Sequence, residues 1–190
     1  AGNLYRYDVE KAKALLEEAG WVDSNGDGIR EKDGQNLLIE YPALPAYEEA
    51  FMELLAYYLK QVGFDVNITK LDDAGISEFG FAGKHNILNM GWISRDPGVL
   101  SYVYLSENIE GGNQSGYTRF RNERLDEIFN TAPQTLDTDV RRELYKEAQA
   151  IIMENALALP IHCYGNVYLA APNVEGFQFD PEGFPYLYDI

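Results

Sequence analysis

Two stretches of the chain hold residue types whose spacing could do chemistry. The first is Asp23-Ser24-Asn25-Gly26-Asp27-Gly28-Ile29, which sets side-chain oxygens at positions one, three and five of a loop, a glycine at six and the Ile29 carbonyl at seven. That is the front half of an EF-hand calcium loop. The back half departs from the pattern, because position twelve is Gly34 where a bidentate glutamate belongs, leaving Asp33 or Glu31 to complete the shell. The candidate ligands are Asp23, Asn25, Asp27, Ile29 and Asp33. An ion held there would be a structural clip, since one loop without paired flanking helices makes no switch. The competing reading is a polar turn whose glycines supply positive φ between a helix and a strand.

The second stretch is Gly91-Trp92-Ile93-Ser94-Arg95-Asp96-Pro97, at the C-terminal end of an apolar run, where open α/β sheets place their ligands. Trp92, Ser94, Arg95 and Asp96 together make an apolar platform with polar handles, the usual composition of a small-molecule cleft. Against this stands a plainer arrangement, with Trp92 in the core and Arg95 paired to Asp96 in a surface turn. For catalysis the chain offers little. It has no Gly-x-Ser-x-Gly elbow, no phosphate-binding glycine loop and no His-Glu-x-x-His pair, and its 2 histidines make a nucleophile triad improbable. The single cysteine, Cys163, sits beside His162 in an apolar context and reads as a buried, inert thiol. No enzymatic activity is expected and no cofactor is required, a structural calcium being the one candidate.

The elements that must position these residues follow from periodicity. Val9, Ala12, Leu15, Leu16 and Ala19 keep helical spacing from Val9 to Ala19, with Asp8 placed to cap and Gly20 to stop. Leu37, Ile39 and Tyr41 alternate with Leu38 and Glu40, as in a strand ending at Pro42. From Ala46 to Val62 a stripe of Phe51, Leu54, Leu55, Tyr58, Leu59 and Val62 predicts a helix ended by Gly63, and Phe64, Val66 and Ile68 then alternate as a second strand. Strand, helix and strand with short joints are the signature of a parallel crossover, and so of an α/β domain.

Asn86 to Trp92 reads as a further buried strand, and Glu107 to Gly116 as a polar, glycine-rich loop. Two helices follow. Asn122 to Thr131 turns Leu125, Ile128 and Phe129 inward, and Asp139 to Asn155 turns Val140, Leu144, Ala148, Ile151 and Ile152 inward. Leu157 to Ala170 looks like strand with a Gly165-Asn166 turn, and the aromatic tail from Pro172 to Ile190 shows no period.

Composition bounds the partners. A chain of 190 residues that is 46% hydrophobic can bury one substantial core. Its 31 acidic and 15 basic side chains give a formal charge of −16, which repels phosphate backbones, so no nucleic acid is expected. No run of apolar residues is long enough to span a bilayer. The start, Ala1-Gly2-Asn3, carries neither methionine nor a charged leader, as though the chain began within a longer protein.

Several segments, in order, resemble the family 5 extracellular solute-binding proteins, the group with oligopeptide-, dipeptide- and nickel-binding components of ABC importers. Tyr7-Asp8-Val9-Glu10-Lys11-Ala12-Lys13-Ala14-Leu15-Leu16-Glu17-Glu18-Ala19-Gly20-Trp21 is similar to a segment of their second lobe. Leu59-Lys60-Gln61-Val62-Gly63-Phe64-Asp65-Val66 is similar to a helix-to-strand step, and Gly91-Trp92 with Asp96-Pro97 to a ligand-proximal motif. Asn113, Tyr117, Asn122, Leu125-Asp126, Arg141 through Gln149 and Leu159-Pro160-Ile161 resemble later blocks.

The resemblance implies an α/β chain forming one lobe of a type II periplasmic-binding-protein fold. Residues 1–170 would be the solute-binding lobe, and 171–190 a tail returning to an absent N-terminal lobe. It further implies an extracytoplasmic, periplasmic or lipid-anchored, binding component that hands a small solute, a peptide first, to ABC permease subunits. Oligosaccharides and metal chelates are the alternatives within the family, and a calcium-clipped interaction module the alternative outside it. One departure bears on specificity. In peptide-binding members an aspartate three residues past the tryptophan takes the peptide ammonium, whereas that position here is Arg95 and the motif is shorter before Asp96-Pro97. Either Asp96 substitutes, or the ligand offers an anionic or hydroxyl-rich group, to which arginine is suited.

Overall fold

A computed structural model of the chain describes residues 5–89, 91, 94, 96–110, 115–161, 167–176, 178–180 and 183–186, with residues 45–49 and 115 described by backbone alone. The first helix, α1 (Val9–Glu18), begins where Asp8 leaves extended backbone and its carboxylate accepts the Lys11 N–H at 2.9 Å. It ends at Gly20, whose φ of +87° lets Gly20 N–H reach Glu17 O and Trp21 N–H reach Leu16 O, a Schellman pair. The predicted stripe is there, but none of α1 is buried, and Leu15 and Ala19 are exposed.

Next come the two-residue strands β1 (Glu31–Lys32) and β2 (Gln35–Asn36), which pair antiparallel. Then β3 (Leu38–Ala43), α2 (Pro45–Lys60) and β4 (Asp65–Lys70) form the predicted crossover, with β3 and β4 parallel from Leu38↔Asp65 to Ala43↔Lys70. Two details differ from expectation. First, β3 does not stop at Pro42, which is fully buried within the ladder, and the strand runs on to Ala43. A strand N–H faces one neighbour or the other, so a proline fits where the donor is not needed. Second, the buried stripe of α2 is Met52 and Ala56, flanked by Leu55 and Leu59, while Leu54 and Tyr58 lie exposed. The helix is apolar on more than one side, so period alone left two faces open and contact with the sheet chose one. Ile39, Tyr41, Ala43 and Met52 centre this core.

The helix α3 (Asp73–Phe81), capped by Asp72, carried no clear sequence signal. The expected strand from Asn86 is corrected: residues 86–89 form none. They lie along the free side of β3, with Asn86 N–H and Ile87 N–H both on Glu40 O and Asn86 Oδ1 accepting Glu40 N–H at 2.8 Å. Because the Asn86 side chain stands where a strand carbonyl would, the ladder does not propagate. Of the rest of that expected strand, Met90 and Trp92 lie outside the described residues.

The second half is helical. A 3₁₀ turn at Pro97–Leu100 runs into α4 (Ser101–Tyr104), a 3₁₀ turn follows at Ser106–Asn108, and α5 (Ser115–Thr118) comes after residues outside the described set. The expected polar loop is thus helical at both ends. In α6 (Glu123–Thr131), Asn122 caps by accepting the Leu125 N–H, and Leu125, Ile128 and Phe129 are buried as predicted. In α7 (Thr138–Glu154), Ala148 and Ile152 are buried and Leu144 and Ile151 half-buried, but Val140 is exposed and Tyr145 takes the inward place. These helices share a second core with Tyr104 and Leu105. Residues 157–161 and 167–170 form no strand, correcting that expectation, and His162, Cys163 and the Gly165-Asn166 turn lie outside the described residues. The tail holds β5 (Gln178–Phe179) and β6 (Pro185–Tyr186), paired antiparallel.

Candidate functional site

The segment expected to meet ligand leaves the edge of β3 at Ile87 and ends on the 3₁₀ turn at Pro97. Gly91, Ser94 and Asp96 are exposed, and space about Gly91 is open. Trp92 and Arg95 lie outside the described residues. Ser94 and Asp96 are brought together: Ser94 Oγ–H donates to Asp96 O at 3.0 Å and accepts Asp96 N–H at 3.2 Å. Asp96 Oδ1 in turn accepts the Gly98 N–H at 2.7 Å and caps the turn. One carboxylate oxygen of Asp96 is therefore spent on the backbone, and its role as a substitute ligand group is narrowed to the other.

Two residues that no pattern picked out pin this segment to the body. On α7, the Tyr145 ring is buried, and its hydroxyl lies against Gly98. Burial, and secondly the charge of Asp96, push that hydroxyl's pKa up, so it keeps its proton. Upstream, His85 Nε2 lies 3.1 Å from Tyr117 O. A carbonyl only accepts, so Nε2 carries the proton, and Nδ1 is left buried without a hydrogen-bond partner among the described residues. Burial lowers the His85 pKa, the bond to Tyr117 raises it, and Arg119 lowers it again, for a net decrease. Arg119 ties the same corner, donating to Gly116 O and Phe81 O.

In the acidic loop, Asp23, Asp27 and Glu31 bring ligand oxygens within 4.8 Å of one another. Asn25 joins through its side chain, with Nδ2 donating to Asp27 Oδ2 and Oδ1 accepting Asp27 N–H. Asp33 is not among the three carboxylates that come together. Asp33 and Gly34 have φ of +52° and +77°, the positive pair of a two-residue hairpin turn, and they join β1 to β2. Glu31, the alternative for completing the shell, is the residue the fold supplies. The donors suit a hard cation. The same oxygens also close the loop unaided, since Asp23 accepts from Gly26 and Gly28, Asp27 from Ile29, and Glu31 from Ser24.

Arg30, next to Ile29, was also missed. It is 8% exposed, and its guanidinium donates to Val62 O, Trp21 O and Glu17 Oε1 at 2.9, 2.8 and 3.0 Å. A Cβ on Gly63 would lie 2.5 Å from Arg30 Cγ, so that glycine makes room for it. A lone arginine in a polar loop carries no periodic signal. Its partners at the ends of α1 and α2 are 9 and 32 residues away in sequence and come together only in the fold.

The model of bacterial extracellular solute-binding proteins, family 5 Middle, matches residues 1–113. The chain is 28% identical over 181 residues to the nickel-binding periplasmic protein of Escherichia coli, covering 93% of this chain and 34% of that protein. It is 27% identical over 186 residues to the oligopeptide-binding protein AppA of Bacillus subtilis, covering 94% and 33%. The chain thus spans about a third of the length of these curated relatives. The solved oligopeptide-binding protein of Thermus thermophilus complexed with a pentapeptide superposes with a TM-score of 0.69 at 26% identity, covering 84% of this chain and 30% of that one.

Proposed function

The chain belongs to the family 5 bacterial extracellular solute-binding proteins, and on that premise we propose that it captures oligopeptides outside the cytoplasmic membrane for the permease of an ABC importer. The observation that carries this reading is the family match over residues 1–113, which takes in the crossover unit and the Gly91–Pro97 segment. Capture needs no covalent step. Residues 1–170 supply one wall of the cleft, and residues 171–190 lead toward a second lobe contributed by the rest of the polypeptide. Closure of the two about the solute then removes it from water.

The favoured solute is an oligopeptide, because the AppA relative and the pentapeptide-bound neighbour are named for peptides. A metal chelate is the second reading, favoured by the nickel-binding relative. Arg95, in place of an acidic side chain, would steer either toward a solute presenting a carboxylate.

Calorimetry tests this with a pentapeptide and nickel–histidine as probes, on the 190-residue chain and on the complete gene product. The chain alone has one cleft wall and is expected to bind no tighter than about 10 μM, because closure cannot desolvate the ligand. The complete product is expected to bind at least tenfold more tightly. Submicromolar binding by the chain alone would overturn the second-lobe reading, and no binding of either probe by the complete product would overturn the solute assignment.

A further inference from the structure

The Asp96–Gly98 turn is held from within by local bonds, Ser94 to Asp96 and Asp96 to Gly98. Its position relative to the body must come from a more distant element, and α7 provides one. Tyr145 is 4% exposed, its ring packed in the same core as Ala148 and Ile152. A Cβ built on Gly98 would lie 3.3 Å from the Tyr145 hydroxyl oxygen and 2.9 Å from Asp96 Oδ1. The two oxygens therefore crowd the space that a side chain at position 98 would enter, and one or both would have to shift to admit it. Leu100, two residues on, packs against the same core, so the turn meets the helical half at Tyr145 and again at Leu100.

We propose that Tyr145 is a positioning residue of the solute-binding turn: its hydroxyl, carried on the 17-residue helix α7, fixes the Asp96–Gly98 turn and with it Ser94, which is bonded to Asp96. The inference rests on the reading that Gly91–Pro97 meets solute. A protonated tyrosine hydroxyl can donate toward the carboxylate side of the turn, and a helix anchored by buried Ala148 and Ile152 does not follow the turn when it moves. Side chains at a rim gain affinity by being held still before the ligand arrives. Tyr145 thereby serves binding without touching solute.

Amide hydrogen exchange on the 190-residue chain tests it. Tyr145→Phe keeps the ring and removes only the hydroxyl, so the melting temperature is expected to shift by no more than about 2–3 °C. Exchange of the Gly98 amide is expected to rise about tenfold, while the amides of Ala148 and Ile152 keep their rates. Gly98→Ala drives the two oxygens apart and is expected to do the same, which keeps the test open if Tyr145→Phe folds poorly. An unchanged amide rate at position 98, after allowance for the intrinsic rate of the residue there, in either folded variant would overturn the proposal. In the complete gene product, Tyr145→Phe is expected to weaken pentapeptide binding about three- to tenfold through faster release. Trp92→Ala serves as the separate control. If it leaves pentapeptide affinity intact, the site reading fails, whereas the Gly98 rate still decides whether Tyr145 fixes the turn.

Discussion

Arg30 shows how a single charged side chain can organise a fold. Its guanidinium satisfies the Trp21 and Val62 carbonyls just past α1 and α2, where helix ends leave acceptors unbonded. Arg30→Ala is expected to lower unfolding free energy by about 2–4 kcal/mol, measured by urea titration, because buried acceptors lose their donors and a cavity opens. Arg30→Lys should recover less than half, since one ammonium cannot reach the three acceptors in a fork. Full rescue by lysine would mean that charge alone matters. His85 adds a pH term of definite sign. Its folded pKa lies below the ordinary 6.5, through burial first and Arg119 besides. Above about pH 6.5 neither folded nor unfolded histidine is protonated, and the full stability is present. Below it the unfolded chain takes up the proton first, and stability falls until the folded pKa is passed. Urea midpoints at pH 7.5 and 5.5 should therefore drop further for the wild type than for His85→Gln. Equal drops would remove His85 from the account.

Among the elements, the acidic loop joins α1 to β1 with its own carboxylates. Asp23 accepts two backbone N–H groups, so Asp23→Ala is expected to cost about 1–2 kcal/mol in a calcium-free melt, as loss of a capping carboxylate does. A calcium contribution would add to this as a rise in melting temperature that the wild type shows and Asp27→Ala does not. Equal responses leave the loop a hydrogen-bonded turn. Elements with a single apolar face were legible in the sequence: α6 buries the predicted trio Leu125, Ile128 and Phe129, and β3, α2 and β4 pair as the crossover required. Elements whose choice depends on a partner were not. Period could not say that Met52 and Ala56, rather than Leu54 and Tyr58, would meet the sheet. Nor could it say that a single asparagine side chain would end the ladder at Asn86. In the candidate site, Asp96 was singled out from the sequence as a polar handle, but its capping of the turn was not, and Tyr145 enters from a helix far along the chain with no local signature.

Among the described residues, the molecule combines two cores with a C-terminal stretch that is largely exposed. Val167 and Leu169 are 85% and 95% exposed, and Leu159, Ile161 and Phe184 are exposed as well. These side chains leave apolar surface in contact with water. The folded chain alone is expected to bind 8-anilinonaphthalene-1-sulfonate at neutral pH and to lose that binding when Val167 and Leu169 are both changed to serine. Absence of dye binding by the wild type would mean that the stretch covers itself. Arg30 also has a bearing on redox tolerance. A chain with 1 cysteine has no internal disulfide, yet the bonds from Arg30 to residues 17, 21 and 62 join distant points of the chain as a disulfide would. Such a tie needs no oxidant to form and yields to no thiol. The two helix ends are held together equally well in a reducing or an oxidising environment, and the tie re-forms without reshuffling each time the chain refolds.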